Sequence, residues 1–105
     1  MLLGMGEDGH TASLFPGQDP GEGPGAPDAL GVRDAPKPPP ERVSLSARRL
    51  GAARQVIVLV TGAGKFDAVA RWRRGEDLPV TRVRPPNGVD IFVDRAALPP
   101  GPGGE

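Results

Sequence analysis

The sequence predicts an α/β fold: a mainly parallel sheet with flanking helices. Three observations carry this expectation. Gln55-Val-Ile-Val-Leu-Val-Thr61 is continuously apolar and β-branched, the pattern of a strand covered on both faces in a parallel sheet. Strand-like and helix-like segments alternate along the chain, which favours parallel strands joined by helical crossovers. Glycine-rich turns, Gly4 to Gly9 and Gly62 to Gly64, stand where strands would pass into the next element.

Taken in order, Met1-Leu2-Leu3 reads as the end of a buried strand. So short a segment makes only part of a strand, and the sheet is therefore expected to be partial. Gly17 to Gly31 is read as a long loop, because glycine, proline and acidic residues leave it no apolar period. Arg42-Val-Ser-Leu-Ser46 is a short strand, and Ser46 offers its hydroxyl as cap to a helix through Ala53 that Gly51 weakens. Gln55–Thr61 is the central strand. A helix over Gly64–Arg74 then sets Phe66, Val69, Ala70 and Trp72 toward the core, with Gly75 as its C-terminal stop. Arg82 and Arg84 alternate on an extended, exposed segment. Gly88–Asp94 is a further strand, followed by a short helical turn at Arg95–Leu98. Residues 1–98 are expected to form one domain, and the tail 99–105, made of Pro, Gly and Glu, to be disordered.

Composition narrows the function classes. The chain has 105 residues, a length that fits one domain. Thirteen basic residues balance thirteen acidic ones, and no basic block offers a surface to nucleic acid or to an anionic membrane. The apolar run Val56–Val60 is far too short to span a bilayer. Cysteine is absent, which excludes disulfides and thiolate metal sites and suits a reducing cytosol. A cytoplasmic protein is the expectation. The 16 glycines and 14 prolines cluster between the periodic segments, so they mark loops and leave those segments intact.

The single histidine, His10, stands in Leu3-Gly-Met-Gly-Glu-Asp-Gly-His-Thr-Ala-Ser-Leu-Phe-Pro-Gly17. An imidazole, with a pKa of ~6.5, both takes and returns protons near neutrality. Asp8 and Glu7 precede it and can orient the ring. The backbone amides of Gly6 and Gly9 are candidates for stabilising an oxyanion. Asp8 and His10 alone fall short of the three or four ligands that zinc takes, so no metal is expected. Thr61-Gly-Ala-Gly-Lys65 is a second candidate, an anion site at a strand end and helix start. It is not a Walker P-loop, because Leu59 stands where the first glycine belongs and Phe66 where the magnesium-binding hydroxyl belongs.

The run around His10 resembles the glucosamine/galactosamine-6-phosphate isomerase and 6-phosphogluconolactonase superfamily, whose members share Gly-x-Gly-x-Asp-Gly-His. Thr-Ala-Ser-Leu-Phe-Pro-Gly after His10 resembles the lactonase branch; the isomerase/deaminase branch carries Asn and Glu near Ser13-Leu-Phe15. Lys37-Pro-Pro-Pro-Glu-Arg-Val-Ser-Leu-Ser46, Val58-Leu-Val-Thr-Gly-Ala-Gly-Lys65 and Leu78-Pro-Val-Thr-Arg-Val-Arg-Pro85 resemble later lactonase segments in the same order. The resemblance implies the C-terminal part of a lactonase domain and hydrolysis of 6-phospho-D-glucono-1,5-lactone to 6-phosphogluconate, in the oxidative pentose phosphate pathway. It implies His10 as the acid–base residue with Asp8 beside it, and Lys65 as a contact to the sugar phosphate. Arg42, held by the rigid prolines, is a further phosphate candidate, with Arg82 and Arg84 behind it. The implied partner is a small sugar-phosphate lactone, with no cofactor. Two alternatives stay open: a sugar-phosphate isomerase/deaminase, and an inactive fragment or interaction module.

Overall fold

The computed structural model describes residues 1–99. Five strands and two α-helices follow in the order β1 (Leu2–Gly4), β2 (Ala29–Val32), β3 (Arg42–Leu45), α1 (Ala47–Gly51), β4 (Val56–Val60), α2 (Phe66–Arg73) and β5 (Val89–Val93). The parallel sheet has the order β1-β4-β5, with Leu3 opposite Val58 and Val58 opposite Ile91. The predicted α/β class and parallel sheet are therefore present, with β4 at the centre.

The antiparallel hairpin is a correction. β3 does not join the parallel sheet; it pairs with β2 in a separate two-stranded sheet, with Ala29 opposite Leu45 and Val32 opposite Arg42. The last residues of the predicted Gly17–Gly31 loop thus belong to a strand. Ala29-Leu-Gly-Val32 carries a glycine and too few β-branched residues to show itself, and its extended form comes from the partner strand.

One core holds these elements together. Val56, Val58 and Val60 lie on one face of β4 and are at most 1% exposed, packed with Leu3, Met5, Ala68 and Val69. The opposite face differs from the prediction of two covered faces: Leu59 is 45% exposed and Phe92, its register partner on β5, 59%. Period-2 geometry sends alternate residues to opposite faces, and among the described residues the helices cover only one.

The helix ends follow the sequence signals. Ser46 Oγ accepts the Arg49 N–H at 3.1 Å and caps α1, which ends at Gly51, before the predicted Ala53. Gly75 has φ +82° just past α2, the left-handed stop that glycine permits. A 3₁₀ turn at Ala63–Lys65 precedes α2, so Phe66 opens the α-helix and is 38% exposed, not in the core as predicted. Val69 is buried and Trp72 packs partly against the core, as predicted. Arg82 lies on a 3₁₀ turn, Pro79–Arg82, and not on an extended segment. The turn at Arg95–Ala97 is present. Of the predicted tail 99–105, only Pro99 lies within the described residues; it is buried, and its carbonyl accepts Arg73 Nη1 at 2.8 Å.

Candidate active site

The site grows from the end of β1. After Gly4 the chain turns tightly: the Gly6 N–H donates to His10 O at 2.8 Å and the Gly9 N–H to Gly6 O at 3.0 Å. Gly9 has φ +84°, and a Cβ there would meet Leu78 Cβ at 2.9 Å, so glycine is required twice over. Thr11, 1% exposed, donates its hydroxyl to Gly4 O at 2.8 Å and closes the loop onto the strand.

This turn delivers His10 onto Asp8. Asp8 Oδ1 lies 2.6 Å from His10 Nδ1 and also accepts the His10 backbone N–H at 3.0 Å. Burial pushes the Asp8 carboxyl upward, but the backbone and side-chain hydrogen bonds from His10 outweigh it, and the group sits below its ordinary value. An ionised carboxylate only accepts, so Nδ1 carries the hydrogen and Nε2 keeps its lone pair free to accept a proton. The ring also packs on Phe15, centroid to centroid 4.7 Å.

Lys65 reaches the same place from β4. Its Nζ donates to the carbonyl of Met5, two residues beyond β1's Leu3. His10, Glu7, Lys37 and Lys65 line one cleft of about 430 Å³ floored by Gly4, Met5 and Gly6. An imidazole and two ammonium groups thus face one space, an arrangement chemically suited to hydrolysing an ester that carries an anionic group elsewhere.

The glucosamine-6-phosphate isomerases/6-phosphogluconolactonase family matches residues 1–92. The chain belongs to this family. It is 42% identical over 103 residues to the 6-phosphogluconolactonase of Rattus norvegicus, covering 92% of this chain and 38% of that protein. It is 39% identical over 104 residues to a probable chloroplastic 6-phosphogluconolactonase of Oryza sativa, covering 93% of this chain and 32% of the other. The solved 6-phosphogluconolactonase of Trypanosoma brucei superposes with a TM-score of 0.73 at 34% identity, over 91% of this chain and 39% of that one. The chain spans less than half the length of these relatives.

Within this isomerase/lactonase frame the other predicted residues take definite places. The Gly6 and Gly9 amides are both committed inside the turn, so neither is available as the predicted oxyanion donor. Gly6 matters for another reason: a Cβ there would stand 2.0 Å from His10 Cε1, inside the imidazole. Glu7 does not orient the ring; its carboxylate lies against Gly64 across the cleft. The Thr61–Lys65 turn is less open to anions than predicted, because Asp94 takes the Gly62 N–H at 3.1 and 3.2 Å. Lys65 enters the cleft through its side chain.

Arg42 does not line the cleft. Its guanidinium donates to the carbonyls of Lys37, Pro38 and Pro39 and lies 5.4 Å from the Phe15 ring centroid. Arg82 is bound by Asp77 and Glu22, and Arg84 Nε donates to Thr81 O at 3.2 Å. Lys37, which no local motif singles out, also lines the cleft. It stood inside the lactonase-like Lys-Pro-Pro-Pro-Glu-Arg segment, and that was the available signal. A neighbouring cleft of about 260 Å³ touches Asp8, but its arginines, Arg71 and Arg82, are already paired with Glu76, Asp77 and Glu22. Among the described residues no three His, Asp or Glu side chains converge as a metal would require, and no helix is long and apolar enough to cross a membrane.

Proposed function

We propose that this chain carries the acid–base half of a 6-phosphogluconolactonase site and hydrolyses 6-phospho-D-glucono-1,5-lactone to 6-phosphogluconate. The observation that carries the reading is the 2.6 Å pairing of His10 Nδ1 with Asp8 in a cleft shared with Lys65. His10 Nε2 removes a proton from water, whose oxygen bonds to the lactone carbonyl carbon. The bond from that carbon to the ring oxygen then breaks, and the imidazolium returns the proton to the departing oxygen. Asp8 holds the ring's tautomer and offsets the charge it gains, and Lys65 pairs with the 6-phosphate. A lactone of this reactivity asks for no cofactor. Absence of cysteine suits a reducing compartment, and we place the protein in the cytoplasm.

The isomerase/deaminase reading is disfavoured by Phe15, which is 2% exposed and packed on His10 where that branch carries a polar pattern. The test measures lactone hydrolysis above the spontaneous rate and ammonia release from glucosamine 6-phosphate, with wild type and His10→Asn. Hydrolysis that depends on His10, without ammonia release, is the expected result. Ammonia release without hydrolysis overturns the reading, and absence of both supports an inactive chain.

A further inference from the structure

We propose that Arg82 is a positioning residue for the Asp8–His10 pair and acts on it through the 3₁₀ turn that Leu78 opens. The inference deepens the function proposed above and rests on it. That function leaves Arg82 without a role: its guanidinium is held by two carboxylates, and it does not line the cleft that holds His10 and Lys65.

Gly9 is the link. It stands between Asp8 and His10, so its backbone sets where both side chains start. Glycine takes positive and negative φ about equally readily, and the φ of +84° at Gly9 is therefore held from outside. Two contacts from one turn hold it. The Val80 N–H donates to Gly9 O at 3.0 Å, and the Leu78 side chain packs so closely on Gly9 that no Cβ would fit between them. Leu78 and Val80 are both buried.

The turn itself is locked. Thr81 Oγ1 donates to Leu78 O at 2.7 Å and accepts the Leu78 N–H at 3.2 Å. Arg82 Nε donates to Asp77 Oδ1 at 2.6 Å, its Nη2 bonds Asp77 as well, and its Nη1 reaches Glu22 in the glycine-rich loop. Hydrogen bonds from Arg82 hold the Asp77 carboxyl below its ordinary value. A single exposed ion pair contributes little, but a bidentate arginine joined to a second carboxylate is a network that does. A lysine ammonium does not reproduce this fork. Arg82 thus fastens the residue before Leu78 to a distant loop, the turn holds Gly9, and Gly9 sets the 2.6 Å contact between His10 Nδ1 and Asp8.

His10 is the only histidine, so nitrogen-15 NMR of the full chain reads its tautomer without ambiguity at about pH 8, where an imidazole is neutral. Wild type is expected to show the Nδ1–H form alone. Arg82→Gln and Arg82→Lys are each expected to bring in a measurable share of the Nε2–H form and to lower kcat about ten- to a hundredfold with KM unchanged, the scale of a small misplacement of the reacting groups. Arg71→Gln, which breaks the Arg71–Glu76 pair without touching the turn, is expected to leave the tautomer as in wild type. A cooperatively folded Arg82 variant that keeps the Nδ1–H form alone overturns the positioning role. So does an Arg71→Gln variant that shifts the tautomer as much, and so does failure of both Arg82 variants to fold, which makes Arg82 a residue of the fold. A wild type in the Nε2–H form removes the Asp8–His10 pairing, and with it both the proposed function and this inference. A wild type in the Nδ1–H form that does not hydrolyse the lactone overturns the proposed function alone, and the tautomers of the variants still decide the role of Arg82.

Discussion

At the scale of single residues, the short contact between His10 Nδ1 and Asp8 decides which ring nitrogen can act as a base. Replacing His10 by Asn removes that base without enlarging the side chain, so lactone turnover should fall by roughly 10²–10⁴ while the unfolding midpoint stays near wild type. Steady-state kinetics, corrected for spontaneous hydrolysis, check this. Gly6→Ala should lose turnover on a similar scale, because its methyl group would occupy the imidazole's position. Asp8 adds a pH dependence. Its carboxyl is lowered in the folded state from an ordinary value of 3.8, so its pairing contributes stability above that value and loses it as pH falls through the lower folded one. Denaturant midpoints of wild type and Asp8→Asn should therefore differ near neutrality and draw together only as pH falls from about 4 through the lower folded value. A difference that persists unchanged into that acid range would contradict the linkage. The Asp-Gly-His cluster was legible in the sequence because its residues are local. The fate of the Gly6 and Gly9 amides was not, since hydrogen-bond commitments inside a turn depend on its three-dimensional path.

At the scale of elements, signals confined to a few neighbouring residues read correctly and those depending on distant partners did not. The Ser46 cap, the Gly75 stop and the apolar β4 run are local, and each stands where it was predicted. β2 escapes the local signals because its strand character comes from pairing with β3, across nine residues of proline-rich chain, 33–41. Phe66 was misplaced because a 3₁₀ turn delays the α-helix and rotates the start of its apolar face. Arg42 has the same cause at one remove: proline rigidity suggested a side chain held over the pocket, whereas the prolines' carbonyls hold the side chain. Ser46 allows an energetic test. Its hydroxyl is fully buried and caps Arg49, so Ser46→Ala should lower stability by about 1 kcal/mol. The denaturant midpoint should move at constant m-value, and an unchanged midpoint would mean that another donor or acceptor replaces the cap.

At the scale of the whole molecule, the sheet divides the chain into a buried side and an open one. Val56, Val58 and Val60 are sealed by α2 and the β1 loop, and this side also carries the site turn onto the end of β1. On the opposite face Leu2, Leu59 and Phe92 are 63%, 45% and 59% exposed. Pairing puts Leu59 beside Phe92, and Leu2 on the neighbouring strand, so these side chains form one apolar surface, not isolated exceptions. Contiguous surfaces of this kind drive association in water. The sequence announced part of this, since the β4 run is apolar at every position; which face would lack a cover among the described residues depended on where the helices fall. The 105-residue chain should therefore self-associate as its concentration rises and bind a hydrophobic dye. Leu59→Lys together with Phe92→Lys should suppress both, because charge on an exposed face opposes association without touching the Val56–Val60 core. Sedimentation velocity across a hundredfold range of concentration, roughly, gives the readout on the scale where such weak association appears. A monodisperse wild-type monomer that binds no dye would show that the open face does not behave as the apolar surface described.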